Sequence, residues 1–169
     1  TEGSRISPLV TVCMIGNGND KFIKKSIDSV LNQTYRNIEL IIAGGKSSTK
    51  IQKIVRNIKS EQVKYVPEIY GDNGKVVHHA RGEFIALLDS SDEYESNKIE
   101  IEVALMLGNP TLDAVYSNLN VVDEKGESVG LIWPYHRRMP GELLSKLSRN
   151  GQETIPLYTI MMRRRLADE

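Results

Sequence analysis

The chain has 169 residues, 40% of them hydrophobic and 26% charged, and its 22 lysine and arginine residues balance 22 aspartate and glutamate residues. This size and composition predict one globular domain with a real core, and the zero net charge argues against a general nucleic-acid-binding surface. The single cysteine, Cys13, excludes an intramolecular disulfide framework and a cysteine-rich zinc site.

Apolar runs alternate with helical patterns along the chain. Short apolar runs predict strands at Leu9–Ile15, Ile38–Ala43, Val63–Val66, Phe84–Leu88 and Ala114–Ser117. Apolar residues at helical spacing predict helices at Asp20–Asn32, capped by Asn19 or Asp20, at Ser47–Lys59 and at Ile99–Leu107. Asn118–Val122 and Ser128–Trp133 predict a hairpin.

This alternation predicts an α/β fold with a mostly parallel central sheet and helices on both of its faces. We expect a flexible lead over residues 1–7 and a single domain over residues 8–169. Basic clusters such as Arg163–Arg165 are expected to be a solvated face or, for this triplet, the start of a helix.

The run from Gly82 to Tyr94 is the strongest candidate for a functional site. Five apolar residues lead directly into Asp89-Ser90-Ser91-Asp92. Acidic residues at the carboxyl end of a buried strand lie where open α/β sheets bind ligands, and their hard oxygen atoms suit Mg²⁺ or Mn²⁺ carrying a phosphate. The alternative is a strand followed by a helix whose cap is Ser91 or Asp92.

Two glycine-containing loops also follow predicted strands. Gly44-Gly45-Lys46-Ser47 opens a helix, but the first glycine of a phosphate-binding P-loop is replaced by Leu40. Gly16-Asn17-Gly18-Asn19 lacks the third glycine of a dinucleotide fingerprint, which would fall at Lys21. The helix that follows Gly44-Gly45-Lys46-Ser47 could still place free backbone N–H groups near an anion.

Several of these segments match a known pattern. Residues 29–35 read Ser-Val-Leu-Asn-Gln-Thr-Tyr and lead into the second strand. Together with Pro8–Val12, Gly82–Tyr94 and Val122–Glu127, they resemble the nucleotide-binding half of a family 2 glycosyltransferase with the GT-A fold. The resemblance extends from Pro8 to Arg165, and the stretch at residues 29–35 is its most specific part.

The resemblance implies inverting transfer of a sugar from a nucleoside diphosphate sugar, for instance a UDP-linked one, to a glycan or other acceptor in polysaccharide biosynthesis. It implies a Mn²⁺ or Mg²⁺ cofactor held by Ser91 and Asp92. It also implies a donor site that consists of Gly16, Asn17, Gly44, Gly45, Lys46 and Asp89. The general base of the family is expected beyond Glu169, in a segment that this chain lacks.

The sequence departs from the family pattern at the donor site. Gly44-Gly45-Lys46-Ser47 stands where the family has Asp-Asp-Gly-Ser, and Ser91 replaces the usual metal-binding aspartate. The loop before Gly82 also looks short. These changes keep an alternative open, in which the chain is a catalytically inactive module that binds a protein or glycan partner.

The sequence also bears on the location of the protein. No run approaches the roughly 18 apolar residues of a membrane span, and the first four residues have no signal-peptide character. We therefore expect a cytoplasmic domain without a membrane span, which could associate with membranes only through parts outside this chain.

Overall fold

A computed structural model describes residues 7–15, 21–44, 49–67, 73–132 and 157–167. The strands in this part of the chain are β1 Val10–Ile15, β2 Ile38–Ala43, β3 Val63–Val66, β4 Phe84–Asp89, β5 Ala114–Tyr116, β6 Asn120–Val122, β7 Ser128–Ile132 and β8 Ile160–Arg163. The helices are α1 Ile23–Leu31, α2 Thr49–Asn57, α3 Asn73–Val77, α4 Lys98–Gly108 and α5 Arg164–Ala167, and a 3₁₀ turn spans Leu157–Thr159.

Six strands form the central sheet in the order β3-β2-β1-β4-β8-β5, and β6 pairs with β7 as the predicted hairpin. Strands β3, β2, β1 and β4 are mutually parallel, whereas β8 is antiparallel to both β4 and β5. The expectation of a mostly parallel sheet is therefore confirmed. The sequence did not predict β8, which lies between two strands that it did predict.

The two faces of the sheet carry separate hydrophobic clusters. Because side chains alternate along a strand, Val12 and Met14 face one cluster and Cys13 faces the other. The first cluster is covered by apolar residues of α1, α2 and α4, and the second by residues of α3 and α5. Helices thus lie on both faces, as predicted. Burial raises the pKa of the Cys13 thiol to about 12, so this residue is an inert core thiol at neutral pH.

Helix α1 begins at Ile23 with Phe22 as its N-cap, later than the predicted start at Asp20, and this cap makes no side-chain hydrogen bond. The predicted caps, Asn19 and Asp20, lie outside the described residues. For the triplet Arg163–Arg165, the helix start is the expectation that is confirmed, whereas the side chain of Arg163 is only 15% exposed and donates hydrogen bonds to the carbonyl oxygens of Met106 and Leu112. Arg164 begins α5, as the helix-start prediction required.

A buried polar network ties the amino-terminal ends of the strands together. Glu39, which is 6% exposed, accepts hydrogen bonds from the Thr11 hydroxyl at 2.6 Å and from the backbone and side chain of Arg81 at 2.7 and 2.9 Å. The Thr11 hydroxyl in turn accepts the Gly82 N–H at 2.8 Å. This network fixes the entry into β4, and so the position of the strand that ends at Asp89.

We predict that this network makes stability fall in acid. Desolvation acts to raise the pKa of Glu39, but the hydrogen bonds from Thr11 and Arg81 and the Arg81 charge together lower it. A lowered folded-state pKa gives stability that is present above the unfolded-state value and is lost as pH falls through the folded-state value. Glu39→Gln should therefore cost about 1–3 kcal/mol of unfolding free energy at pH 7.

Urea unfolding of wild type and Glu39→Gln at pH 7 and at pH 3 measures this effect. The difference between the two proteins should shrink at pH 3, because this pH lies below the ordinary pKa of a glutamate and protonation of the carboxyl in the unfolded chain then favours unfolding of the wild type. A difference of the same size at both pH values would show that ionisation of Glu39 does not contribute to stability.

Candidate functional site at the carboxyl edge of the sheet

The carboxyl ends of β1, β2 and β4 lie side by side. Ile15 at the end of β1 is in register with Ala43 of β2 on one side and with Asp89 of β4 on the other. The chain runs from β1 outward through β2 to β3 and then returns to the opposite side of β1 to form β4. The boundary between β1 and β4 is therefore the topological switch point, where open α/β sheets form a ligand crevice.

The candidate acidic cluster lies directly at this boundary, in a tight turn that follows β4. One carboxylate oxygen of Asp89 accepts the backbone N–H of Ser91 at 2.9 Å and its hydroxyl at 2.6 Å. The N–H of Asp92 donates to the carbonyl oxygen of Asp89 at 3.1 Å, and the N–H of Ser90 continues the strand pairing by donating to Ile15. The structure thus brings Asp89, Ser91 and Asp92 together at the switch point, as the sequence predicted for a site.

The helix-cap alternative for this cluster was wrong. Helix α4 begins only at Lys98, with Asn97 as its N-cap, so Ser91 and Asp92 lie several residues outside it. The loop between the turn and α4 separates the acidic cluster from the helix. This arrangement leaves the cluster at the edge of the sheet rather than at a helix terminus.

The turn offers oxygen atoms of the kind that divalent cations such as Mg²⁺ prefer. Desolvation by neighbouring atoms and, after it, the negative charge of Asp89 raise the pKa of Asp92. Within the described residues, no group of three or more histidine, cysteine, aspartate or glutamate side chains could hold a metal. The Asp92 carboxylate and the Ser91 hydroxyl are hard oxygen donors, and Mg²⁺ and Mn²⁺ bind proteins through one or two carboxylates when phosphate oxygens complete the shell.

Gly44 directly follows β2, which β1 separates from the strand that carries the acidic turn. It has a close neighbour that the sequence did not predict. A Cβ atom added at Gly44 would lie 2.6 Å from the hydroxyl oxygen of Tyr65 in β3. The Tyr65 side chain therefore occupies the space that a side chain at position 44 would need. No sequence signal marked Tyr65, because its proximity to Gly44 depends on the pairing of β2 with β3.

The other predicted donor residues, Gly16, Asn17, Gly45 and Lys46, lie outside the described part of the chain. In the sequence they follow β1 and β2, neighbouring strands whose carboxyl ends lie at the same edge of the sheet as that of β4. Their roles stay predictions. The helix predicted from Ser47 is described from Thr49.

Two further features lie outside the predicted donor set. The Lys21 ammonium group lies 2.7 Å from Glu124 in the β6–β7 turn, so the hairpin contacts the segment that enters α1. An open groove of about 330 Å³ also lies between α1 and the loop after the acidic turn. It is lined by Lys25, Asp28, Ser29, Asn32, Glu93, Tyr94 and Ser96. None of these residues belongs to the predicted donor set, and the groove lies on the flank of α1.

The sequence matches the profile of glycosyl transferase family 2 over residues 11–169. The chain belongs to this family. It is 32% identical over 120 residues to the Escherichia coli UDP-Glc:alpha-D-GlcNAc-diphosphoundecaprenol beta-1,3-glucosyltransferase WfgD, a match that covers 68% of this chain and 47% of the relative. It is 29% identical over 133 residues to an uncharacterised glycosyltransferase of Methanocaldococcus jannaschii, over 73% of this chain and 46% of that protein.

Solved structures confirm the GT-A fold. S. aureus TarS 1-349 in complex with UDP-GlcNAc superposes with a TM-score of 0.69 at 15% identity, over 95% of this chain and 46% of that one. The mannosyltransferase PcManGT from Pyrobaculum calidifontis, in complex with GDP-Man and Mn²⁺, gives a TM-score of 0.56 at 17% identity, over 72% of this chain and 37% of that one. This family 2 chain thus spans about half or less of the length of these relatives.

The described part of this family 2 domain contains no helix that is both long and apolar enough to cross a membrane. The matches to transferases favour the transferase interpretation over the inactive binding module.

Proposed function

We propose that this domain binds a nucleoside diphosphate sugar at the carboxyl edge of its sheet. It acts as the donor-binding domain in the transfer of the sugar to a glycan or other acceptor. The observation that carries this proposal is the position of the Asp89–Asp92 turn at the β1–β4 switch point. Family membership supports the reaction class, because the fold by itself does not define an activity.

A uridine nucleotide is the first candidate donor. The name of the E. coli relative specifies UDP-Glc, and TarS was solved with UDP-GlcNAc and with UDP. The mannosyltransferase with GDP-Man shows that a protein of similar fold uses another base. The base is therefore a question for experiment, and the test has to include guanine and thymine nucleotides.

Each residue of the proposed site has a distinct role. Asp89, oriented by its two hydrogen bonds with Ser91, contacts the ribose or nucleotide, and Ser91 and Asp92 hold Mn²⁺ or Mg²⁺. A bound cation would stabilise the charge that develops on the leaving diphosphate. Two loops complete the donor site, one with Gly16 and Asn17 and the other with Gly44, Gly45 and Lys46. They supply backbone N–H groups and the charge of Lys46.

Calorimetric titration of the purified chain with UDP, GDP and dTDP, each with and without Mn²⁺, tests the proposal. We expect one nucleotide to bind, and to bind more tightly when Mn²⁺ is present. If all three nucleotides fail to bind a sample that circular dichroism shows to be folded, the donor-binding proposal fails for this chain. That result would favour the non-catalytic binding module.

A further inference from the structure

Helix α1 and the two residues that follow its cap hold the loop that leaves the acidic turn. The Ser26 hydroxyl donates to the carbonyl oxygen of Ser90 at 2.9 Å, and the Ser29 hydroxyl accepts the N–H of Tyr94 at 3.0 Å. Farther along, the N–H of Thr34 donates to the carbonyl oxygen of Ser96 at 2.8 Å. These contacts bind successive backbone groups of the loop over residues 90–99.

Gln33 makes the most extensive of these contacts. Its amide nitrogen donates to the carbonyl oxygens of Ser29 at 3.0 Å and Glu95 at 2.7 Å, and its amide oxygen accepts the N–H of Ile99 at 3.0 Å. The side chain is completely buried. Since a primary amide offers two donors and an acceptor on one rigid plane, Gln33 joins α1, the loop and the first turn of α4.

The position of the Ser26 contact connects this support to the site. Ser90 lies between Asp89 and Ser91, the residues whose hydrogen bonds shape the acidic turn. The loop from Ser91 to Asn97 belongs to no helix or strand, so regular backbone pairing does not fix it. Hydrogen bonds from α1 to both ends of the loop supply the missing constraint.

We propose that the polar support formed by Ser26 and Ser29 of α1 and by Gln33, which follows the helix cap, sets the conformation of the acidic turn. Ser26 and Gln33 are then positioning residues for donor binding, acting through the loop and not by contact with the nucleotide. This inference rests on the proposed function in so far as it concerns the donor. Its effect on the loop is measured independently of any ligand.

The first measurement is amide hydrogen exchange of the loop in the absence of ligand. Gln33→Ala should raise exchange over residues 90–99 by about tenfold, because the N–H of Ile99 loses its acceptor and the Glu95 carbonyl keeps only the Lys98 N–H of its two donors. Gln62→Ala is the matched control. The Gln62 amide also bridges two backbone carbonyls, those of Arg36 and Ile38 at 3.1 Å each, but it lies at the amino-terminal end of the sheet.

The second measurement is the affinity for UDP, GDP and dTDP with Mn²⁺, corrected for the folded fraction of each variant. Gln33→Ala and Ser26→Ala should weaken binding of the preferred nucleotide by about tenfold, and Ser26→Thr, which keeps the hydroxyl, should restore it. Gln62→Ala should bind as tightly as wild type. Ser26→Ala removes only one oxygen atom. It therefore tests the inference by itself if Gln33→Ala does not fold.

The outcomes separate this inference from the donor proposal. If exchange over residues 90–99 rises no more in Gln33→Ala and Ser26→Ala than in Gln62→Ala, the inference is overturned. It is also overturned if wild type binds a nucleotide and both α1 variants bind it equally well. If wild type binds none, the donor proposal fails, and the exchange result alone decides whether α1 sets the conformation of the loop.

Discussion

Replacing Gly82 with alanine should lower the free energy of unfolding by about 3–5 kcal/mol or prevent folding. A Cβ atom at this position would lie 2.6 Å from the backbone nitrogen of Thr11, 2.7 Å from its hydroxyl and 2.8 Å from the carbonyl oxygen of Leu9. Two of these three atoms are backbone atoms of the chain entering β1, so no side-chain rotation relieves the clash. β1 and β4 would have to separate at the point where they begin to pair.

Urea unfolding followed by circular dichroism measures this loss, with Gly108→Ala as the control. A Cβ atom at Gly108, the last residue of α4, meets no atom within 4 Å. That substitution should change the unfolding free energy by no more than about 1 kcal/mol, in the direction set by helix propensity. Equal urea midpoints for Gly82→Ala and wild type would show that β1 and β4 are not packed as closely as described.

The double variant Asp89→Ala with Asp92→Ala should lose metal-dependent nucleotide binding. Its two substitutions remove both carboxylates of the turn, and Asp89 also orients Ser91. Affinity in the presence of Mn²⁺ should fall by more than about 100-fold, since even groups that act indirectly on a metal are worth 10–100-fold. Titration of wild type and variant with the preferred nucleotide, with and without Mn²⁺, gives this ratio.

The control for charge in the same loop is Glu93→Ala, which removes the exposed carboxylate next to Asp92 and should leave affinity within about threefold of wild type. The double variant should remain folded, because neither aspartate belongs to the two hydrophobic clusters that hold the sheet, although the turn loses its hydrogen bonds between Asp89 and Ser91. If the double variant binds as tightly as wild type, the assignment of Asp89 and Asp92 is wrong.

Most of the sheet could be predicted from the sequence because its strands carry their signals locally. The apolar run before Asp89 has the length and the flanking residues of a buried strand, and the structure places β4 there with one residue more. The position of Asp89 at the carboxyl edge of the sheet followed from a general property of parallel sheets. The sequence did not give the strand order, which was needed to show that β1 is the neighbour of β4 at Asp89.

The features that the sequence did not reveal depend on distant contacts. Strand β8 is short, and its pairing with β4 and β5 makes it a strand. Gln33 lies in the segment with the most specific family resemblance, but no periodicity indicates that its amide reaches Glu95 and Ile99. The closeness of Tyr65 to Gly44 likewise required the register of β2 and β3.

The position of β4 has a consequence for folding kinetics. Ile85 of this strand pairs with Thr11 on one side and with Met162 on the other, so its neighbours come from opposite ends of the chain. Such non-local pairing slows the search for the native state, because large loops close before many contacts form. During synthesis, β4 would keep one open edge until residues 160–163 had left the ribosome. Removing those four residues should therefore expose an apolar strand edge that invites aggregation, far along the chain from the acidic turn.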